Sequence, residues 1–245
     1  MMETSLSSLS MVVLAIALMA TASQAEGGLA ELSGAESPLQ DGERIIFFGD
    51  SITQAGTTEH GYITKMQQAL DAGESDAEVT LINRGISGHK VPDLQGRLQE
   101  HVLDEQPTVV WIYIGINDVW HSQSGRGTPH DKYEAGLRDL VKKIQESGAV
   151  VVLATPSVIG EKHDGSNTLD EMLDRYAATT RTIAKEMDVQ LCDLREAFLA
   201  HLREHNSEQA EKGILTTDGV HLNPAGNALV AEQAAGAIAE ALRKR

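Results

Sequence analysis

Two short stretches at opposite ends of the chain carry side chains suited to nucleophilic catalysis. Gly49-Asp50-Ser51-Ile52-Thr53 directly follows the apolar run Arg44-Ile45-Ile46-Phe47-Phe48, and Asp218-Gly219-Val220-His221 lies near the other end. A serine hydroxyl is a poor nucleophile at its free pKa. It needs an imidazole within hydrogen-bond reach and a third group to hold that imidazole. Ser51 on a tight turn, His221 as base and Asp218 as orienting carboxylate supply the three types, and the Asp-x-x-His spacing lets both side chains converge on a single turn. Acyl transfer also develops an oxyanion that fixed dipoles must meet.

These residues need a scaffold that brings distant segments to one edge. Short, nearly continuous apolar runs at Arg44–Phe48, Val79–Asn83, Thr108–Ile114, Val150–Ala154 and Val189–Cys192 read as parallel strands covered on both faces. Helical patterns fill the gaps, roughly Tyr62–Leu70, Pro92–Leu103, Lys132–Glu146, Leu169–Glu186, Glu196–His205 and Pro224–Arg243. Ser147-Gly148 stops one helix with a residue that tolerates positive φ, and Asn223-Pro224 opens the last with a cap and a proline at its first position. Alternating strands and helices imply right-handed crossovers and a doubly wound sheet. Ligands of such sheets bind beyond the carboxyl ends of the strands, which is where Ser51, Asn83, Gly85, Gly88, Gly115, Asn117 and Asp118 fall. His60, His89, His121, His130, His163 and His221 also read as loop residues, whereas His101, His201 and His205 read as helical.

Length and composition bound the rest. The chain has 245 residues, 41% hydrophobic and 23% charged, enough for one sizeable core in one domain. Residues 1–25 look like a signal peptide: Met11–Ala20 is an apolar h-region, and small residues at −3 and −1 predict a cut after Ala25. The segment before that run has no Lys or Arg and carries Glu3, a departure from the usual pattern. Export to a secreted or periplasmic location follows, with no stable membrane association after cleavage. Residues 26–42, rich in Gly, Ser, Ala and acids, read as a flexible lead-in, and 43–245 as the folded domain. The net charge of −16 becomes −15 without Glu3 and argues against nucleic acid or an anionic membrane surface as partner. Cys192 is the only cysteine, so no internal disulfide exists, and its strand setting reads as a buried, inert thiol. There is no Walker-type phosphate loop, no Gly-x-Gly-x-x-Gly after the first strand, and no His-x-His or His-Glu-x-x-His metal pattern.

Four blocks together resemble the SGNH hydrolases, the GDSL-type esterases and lipases. They are Gly49-Asp50-Ser51-Ile52-Thr53, Asn83-Arg84-Gly85-Ile86-Ser87-Gly88, Gly115-Ile116-Asn117-Asp118 and Asp218-Gly219-Val220-His221-Leu222-Asn223, in the family's order. Isoleucine at 52 replaces the leucine of the family's common name. The resemblance implies a flavodoxin-like three-layer α/β/α sandwich with a five-stranded parallel sheet. It implies Ser51 as nucleophile and first oxyanion donor, Gly88 N–H and the Asn117 amide as the other two donors, His221 as base then acid, and Asp218 as its orienting partner. No cofactor and no metal are implied. Asp50 shapes the nucleophile turn or lines the cleft; Trp120 and His121 either line the cleft or pack an exposed loop.

The function expected is a secreted serine esterase that removes short acyl groups, O-acetyl above all, from carbohydrate such as acetylated polysaccharide through an acyl-enzyme on Ser51. Low aromatic content, 4%, and the lack of a long amphipathic lid speak against long acyl chains. A lysophospholipase or thioesterase of the same family, a non-catalytic flavodoxin-like binding domain and a divalent-metal hydrolase are the competing readings.

Overall fold

The computed structural model describes residues 27–245; the expected signal peptide and its cut site lie outside the described residues. Five strands form one fully parallel sheet: β1 (Glu43–Gly49), β2 (Val79–Gly85), β3 (Val109–Tyr113), β4 (Val150–Ala154) and β5 (Gln190–Cys192), in the order β2-β1-β3-β4-β5. Helices α3 (Tyr62–Ala72), α4 (Val91–His101), α6 (His130–Glu146), α7 (Asp170–Glu186), α8 (Leu194–His205) and α9 (Pro224–Arg243) connect or flank the strands, with short helices α2 (Ser51–Ala55) and α5 (Ile116–Trp120) at the ends of β1 and β3. This is the flavodoxin-like α/β/α sandwich.

The central strands explain the shape. Val109, Val110, Trp111, Ile112 and Tyr113 are all buried, so β3 needs cover on both faces. Helix α6 supplies part of it with Leu137, Leu140, Val141 and Ile144, a spacing that lays one apolar stripe on the sheet. Gly49 pairs with Gly85 on one side and Tyr113 on the other, so β1, β2 and β3 end level. The strand order reverses between β1 and β3, and there the crossovers leave a crevice beyond the carboxyl ends.

The stretch expected as a flexible lead-in is corrected at residues 28–33, while residues 34–42 hold no helix or strand. Helix α1 (Gly28–Ser33) lies against α9, with Leu32 buried. Its first turn donates Leu29 N–H to the Glu232 carboxylate at 3.1 Å. A Cβ on Gly28 would sit 2.0 Å from the Glu232 carbonyl oxygen, so only glycine lets these helices approach so closely. Burying one leucine contributes about 2 kcal/mol, which a composition-based reading of Gly, Ser and Ala does not register. His130 is also corrected: it opens α6 right after Pro129 and bonds Thr179 Oγ1 at 2.7 Å. His121 begins a single 3₁₀ turn, His121–Ser124. Cys192 is buried, and burial pushes its thiol well above the ordinary range.

Candidate active site

The serine turn is built by its neighbours. Asp50 caps α2, its carboxylate accepting from Ile52 N–H at 3.0 Å, which frees Ser51 to face outward as the first helical residue. Asp50 is only 2% exposed, so it lies under the turn and shapes it rather than lining the cleft. Burial pushes its carboxyl up to about 7; the Ile52 N–H opposes that rise and the neighbouring Asp118 adds to it. Asn83 ties α2 down from the side, donating to Thr53 O at 2.8 Å and accepting from Gly85 N–H at 2.8 Å. Gly85 is needed for this contact, because a Cβ there would lie 2.1 Å from Gln54 N.

The other end of the chain arrives at the same place. Ser51 Oγ is 2.9 Å from His221 Nε2, and His221 Nδ1 is 2.7 Å from Asp218 Oδ2. The second Asp218 oxygen accepts the backbone N–H of His221 at 2.8 Å and of Val220 at 3.0 Å. Burial alone would raise the Asp218 carboxyl, but the bonds from the His221 ring, the His221 backbone and Val220 outweigh it and hold it below its ordinary range. An ionised Asp218 on Nδ1 fixes the tautomer that leaves Nε2 free to accept from Ser51.

The irregular segment that carries Asp218 is held by a residue the sequence reading did not single out. Glu161 is fully buried, and its carboxylate accepts from Ile214 N–H at 2.7 Å, Leu215 N–H at 2.7 Å and Thr216 Oγ1 at 2.7 Å, as well as from Thr216 N–H. Thr217 N–H to His221 O at 2.8 Å and Asn223 N–H to Leu215 O at 2.9 Å close the loop onto α9. No local motif announces Glu161, because its partners lie more than fifty residues away.

The candidate oxyanion donors come from three segments: the turn at Ser51, the loop after β2 and the start of α5. Gly88 has φ +77°, and a Cβ there would meet nothing within 4 Å, so its backbone faces open space in a conformation that favours glycine. Asn117 is 4% exposed, and its amide donates to His89 O at 3.1 Å. That bond uses one of the two amide hydrogens and orients the other. Next to it, Asp118 is fully buried, accepts from Val91 N–H at 3.2 Å, and is pushed up to about 6 by burial.

Trp120 presents its ring edge-on to His221, centroids 6.2 Å apart. It forms one wall of a cavity of about 230 Å³ beside Asp218, lined also by the polar Gln123, Lys162, Asn167 and Glu211 and the aliphatic Ile159, Leu169 and Val220. His121 packs beside Trp120, centroids 6.3 Å apart, and is not on that wall. Among the described residues no group of three or more His, Cys, Asp or Glu side chains is placed to hold a metal ion, and no helix is long and apolar enough to cross a membrane.

The GDSL-like lipase/acylhydrolase family model matches residues 47–229, from the strand that precedes Ser51 to the start of α9. The chain belongs to this family. An acetylxylan esterase of Geobacillus stearothermophilus is 31% identical over 79% of this chain and 92% of its own length. A solved acetyl xylan esterase is 42% identical, with a TM-score of 0.73 over 78% of this chain and 97% of that one. A mouse isoamyl acetate-hydrolyzing esterase 1 homolog is 26% identical over 75% of this chain and 76% of its length. The GDSL-like chain is a carboxylic ester hydrolase, and its sandwich fold is shared with solved esterases.

Proposed function

We propose that this esterase removes O-acetyl groups from carbohydrate through an acyl-enzyme on Ser51, after export from the cell. The observation that carries the mechanism is the unbroken line Ser51 Oγ, His221 Nε2, His221 Nδ1, Asp218 Oδ2, with steps of 2.9 and 2.7 Å across its two hydrogen bonds. In the first half-reaction Ser51 Oγ attacks the ester carbonyl carbon and its proton passes to His221 Nε2. The oxyanion forms against Ser51 N–H, Gly88 N–H and the Asn117 amide. Its collapse breaks the bond to the sugar oxygen, which leaves with the proton from His221. In the second half, water gives one proton to His221 and its oxygen attacks the acetyl carbon; the bond from that carbon to Ser51 Oγ then breaks, Oγ takes the proton back from His221, and acetic acid departs.

The acetyl and carbohydrate parts rest on two supports. Relatives named for acetylxylan and for small acetate esters cover most of the chain. The cavity beside Asp218 sets Trp120 among polar side chains, Gln123, Lys162, Asn167 and Glu211, together with the aliphatic Ile159, Leu169 and Val220, a mixed lining that offers a sugar ring both a stacking face and hydrogen-bond partners. Export rests on the h-region and the small residues before Glu26.

Residues 26–245 and the Ser51→Ala variant are to be compared on p-nitrophenyl acetate, p-nitrophenyl octanoate and acetylated xylo-oligosaccharide. Cleavage of the acetyl substrates with near-complete loss in the variant is the expected result. A preference for octanoate removes the carbohydrate reading, and equal slow rates in two folded proteins remove the serine mechanism. Export is tested by the mass of the mature protein outside the cytoplasm, with Glu26 expected as its first residue.

A further inference from the structure

Three donors aimed at one oxyanion must agree in position to a fraction of an ångström, yet they come from three segments: the turn after β1, the loop after β2 and the start of α5. One side chain touches the framework of all three. Arg97, on α4, donates from one terminal nitrogen to Gly49 O at 2.8 Å, the carbonyl immediately before the Asp50-Ser51 turn. Its other terminal nitrogen donates to Arg84 O at 2.8 Å, near the end of β2. Its Nε donates to His89 Nδ1 at 3.0 Å. His89 follows Gly88 in the chain, and its own carbonyl accepts the Asn117 amide at 3.1 Å. Arg97 is 8% exposed and its guanidinium stacks over Phe48 at 4.4 Å, so packing fixes the plane from which the fork projects.

We propose that Arg97 is a positioning residue that sets the register of the oxyanion hole, acting through His89 on Gly88 and Asn117 and through Gly49 on Ser51. The inference rests on the assignment of Ser51, Gly88 and Asn117 as oxyanion donors. The chemistry of the arginine suits the task. Strand carboxyl ends present carbonyls, and a planar fork with five N–H groups satisfies several at fixed mutual angles. A lysine ammonium at the same place is a point donor on a flexible stem. The bond to His89 also fixes that ring: Nδ1 must accept, so the ring is neutral with its proton on Nε2. Burial, and then the Arg97 charge, hold the His89 ring below its ordinary pKa, in accord with that form. Burial likewise brings Arg97 down to about 10, leaving it charged at neutral pH.

The test is a kinetic cycle on p-nitrophenyl acetate. Asn117→Ala alone is expected to lower kcat by about 10²–10³, the usual cost of one oxyanion donor. If it costs less than about twofold, the oxyanion assignment is wrong and this proposal falls with it. Arg97→Lys is expected to lower kcat by on the order of 10² with KM within about threefold, the scale of an ångström-sized misplacement. In the Arg97→Lys background, Asn117→Ala is then expected to cost less than about tenfold, because the amide is already misplaced. Equal Asn117→Ala factors in the two backgrounds overturn the proposal while leaving the oxyanion assignment standing. Should Arg97→Lys fail to fold, the half-buried His89 carries the test. His89→Leu keeps the backbone carbonyl but removes the Nδ1 acceptor, and kcat is expected to fall about tenfold at constant KM. His89→Asn restores an acceptor near the Nδ1 position and is expected to return kcat to within about twofold of wild type. A His89→Leu enzyme as fast as wild type, or a His89→Asn enzyme no faster than His89→Leu, overturns the proposal.

Discussion

The two halves of the site are braced by opposite charges. Around Ser51, Gly88 and Asn117 the brace is a buried cation: Arg97 donates to Gly49 O, Arg84 O and the His89 ring. Around Asp218 and His221 it is a buried anion: Glu161 accepts from Ile214 N–H, Leu215 N–H and the Thr216 backbone and hydroxyl. The difference follows from the backbone each half uses. The Ser51 half sits at the carboxyl ends of parallel strands, where carbonyls outrun their partners and need donors. The His221 half sits on an irregular loop between α8 and α9, where consecutive N–H groups turn toward one point and need an acceptor. A fold that places the proposed catalytic groups on two unlike pieces of backbone needs two unlike clamps, and each buried charge is tolerable because several dipoles satisfy it.

The largest effects test whether the halves act as one unit. Ser51→Ala and His221→Ala are each expected to lower kcat on p-nitrophenyl acetate by about 10⁴–10⁶, and the double variant by no more than either alone. Additive losses would show that serine and histidine contribute separately, and the continuous triad would lose its support.

Next in size is the anionic clamp. Glu161→Gln keeps one oxygen for Leu215 N–H and the Thr216 groups but turns an amide NH₂ toward Ile214 N–H, which can only donate and loses its acceptor. Unfolding free energy is expected to drop by about 3 kcal/mol, read from urea denaturation, with kcat falling further than KM rises because His221 loses its seat. Wild-type stability and wild-type kcat in this variant would break the parallel between Glu161 and Arg97.

A smaller effect is expected at the cavity wall. Trp120→Ala removes a ring that touches both the cavity and His221. The ratio of KM for acetylated xylo-oligosaccharide to KM for p-nitrophenyl acetate should rise about tenfold, the scale of one lost stacking contact. An unchanged ratio would move the sugar to another part of the surface.

An effect of a different kind is a slope with pH. Asp50 has an ordinary carboxyl pKa of 3.8 and a folded value pushed up to about 7 by burial. Between those values the folded state keeps a proton that the unfolded state has released, so its contribution to stability falls as pH rises through that window. Asp50→Asn removes the slope but keeps an oxygen for the Ile52 cap. The Tm of Asp50→Asn relative to wild type is therefore expected to be higher at pH 8 than at pH 5. A constant difference across that range would mean that Asp50 titrates below the window.

Much of the molecule was legible from the chain. The Val150–Ala154 strand and the Pro224–Arg243 helix are found at the residues read from periodicity and caps, and the other strands shift by two residues or fewer at either end. Helices α2 and α5 went unread because five residues give too little of a turn-by-turn pattern to register. The packed helix α1 went unread because its anchors are one leucine and one glycine whose partners lie about 200 residues away.

The sequence by itself determined the fold class and the four blocks to which the chemistry is assigned, because those depend on local spacing: apolar runs, turn glycines, and an Asp-x-x-His that can close on itself. Only the tertiary structure decided what holds the blocks in register. Arg97 reads locally as one more cation on a helix, and Glu161 as one more acid in a loop. Each became a clamp through bonds from side chain to distant backbone, and no period or spacing in a chain encodes which carbonyls or N–H groups a fold will leave unpaired.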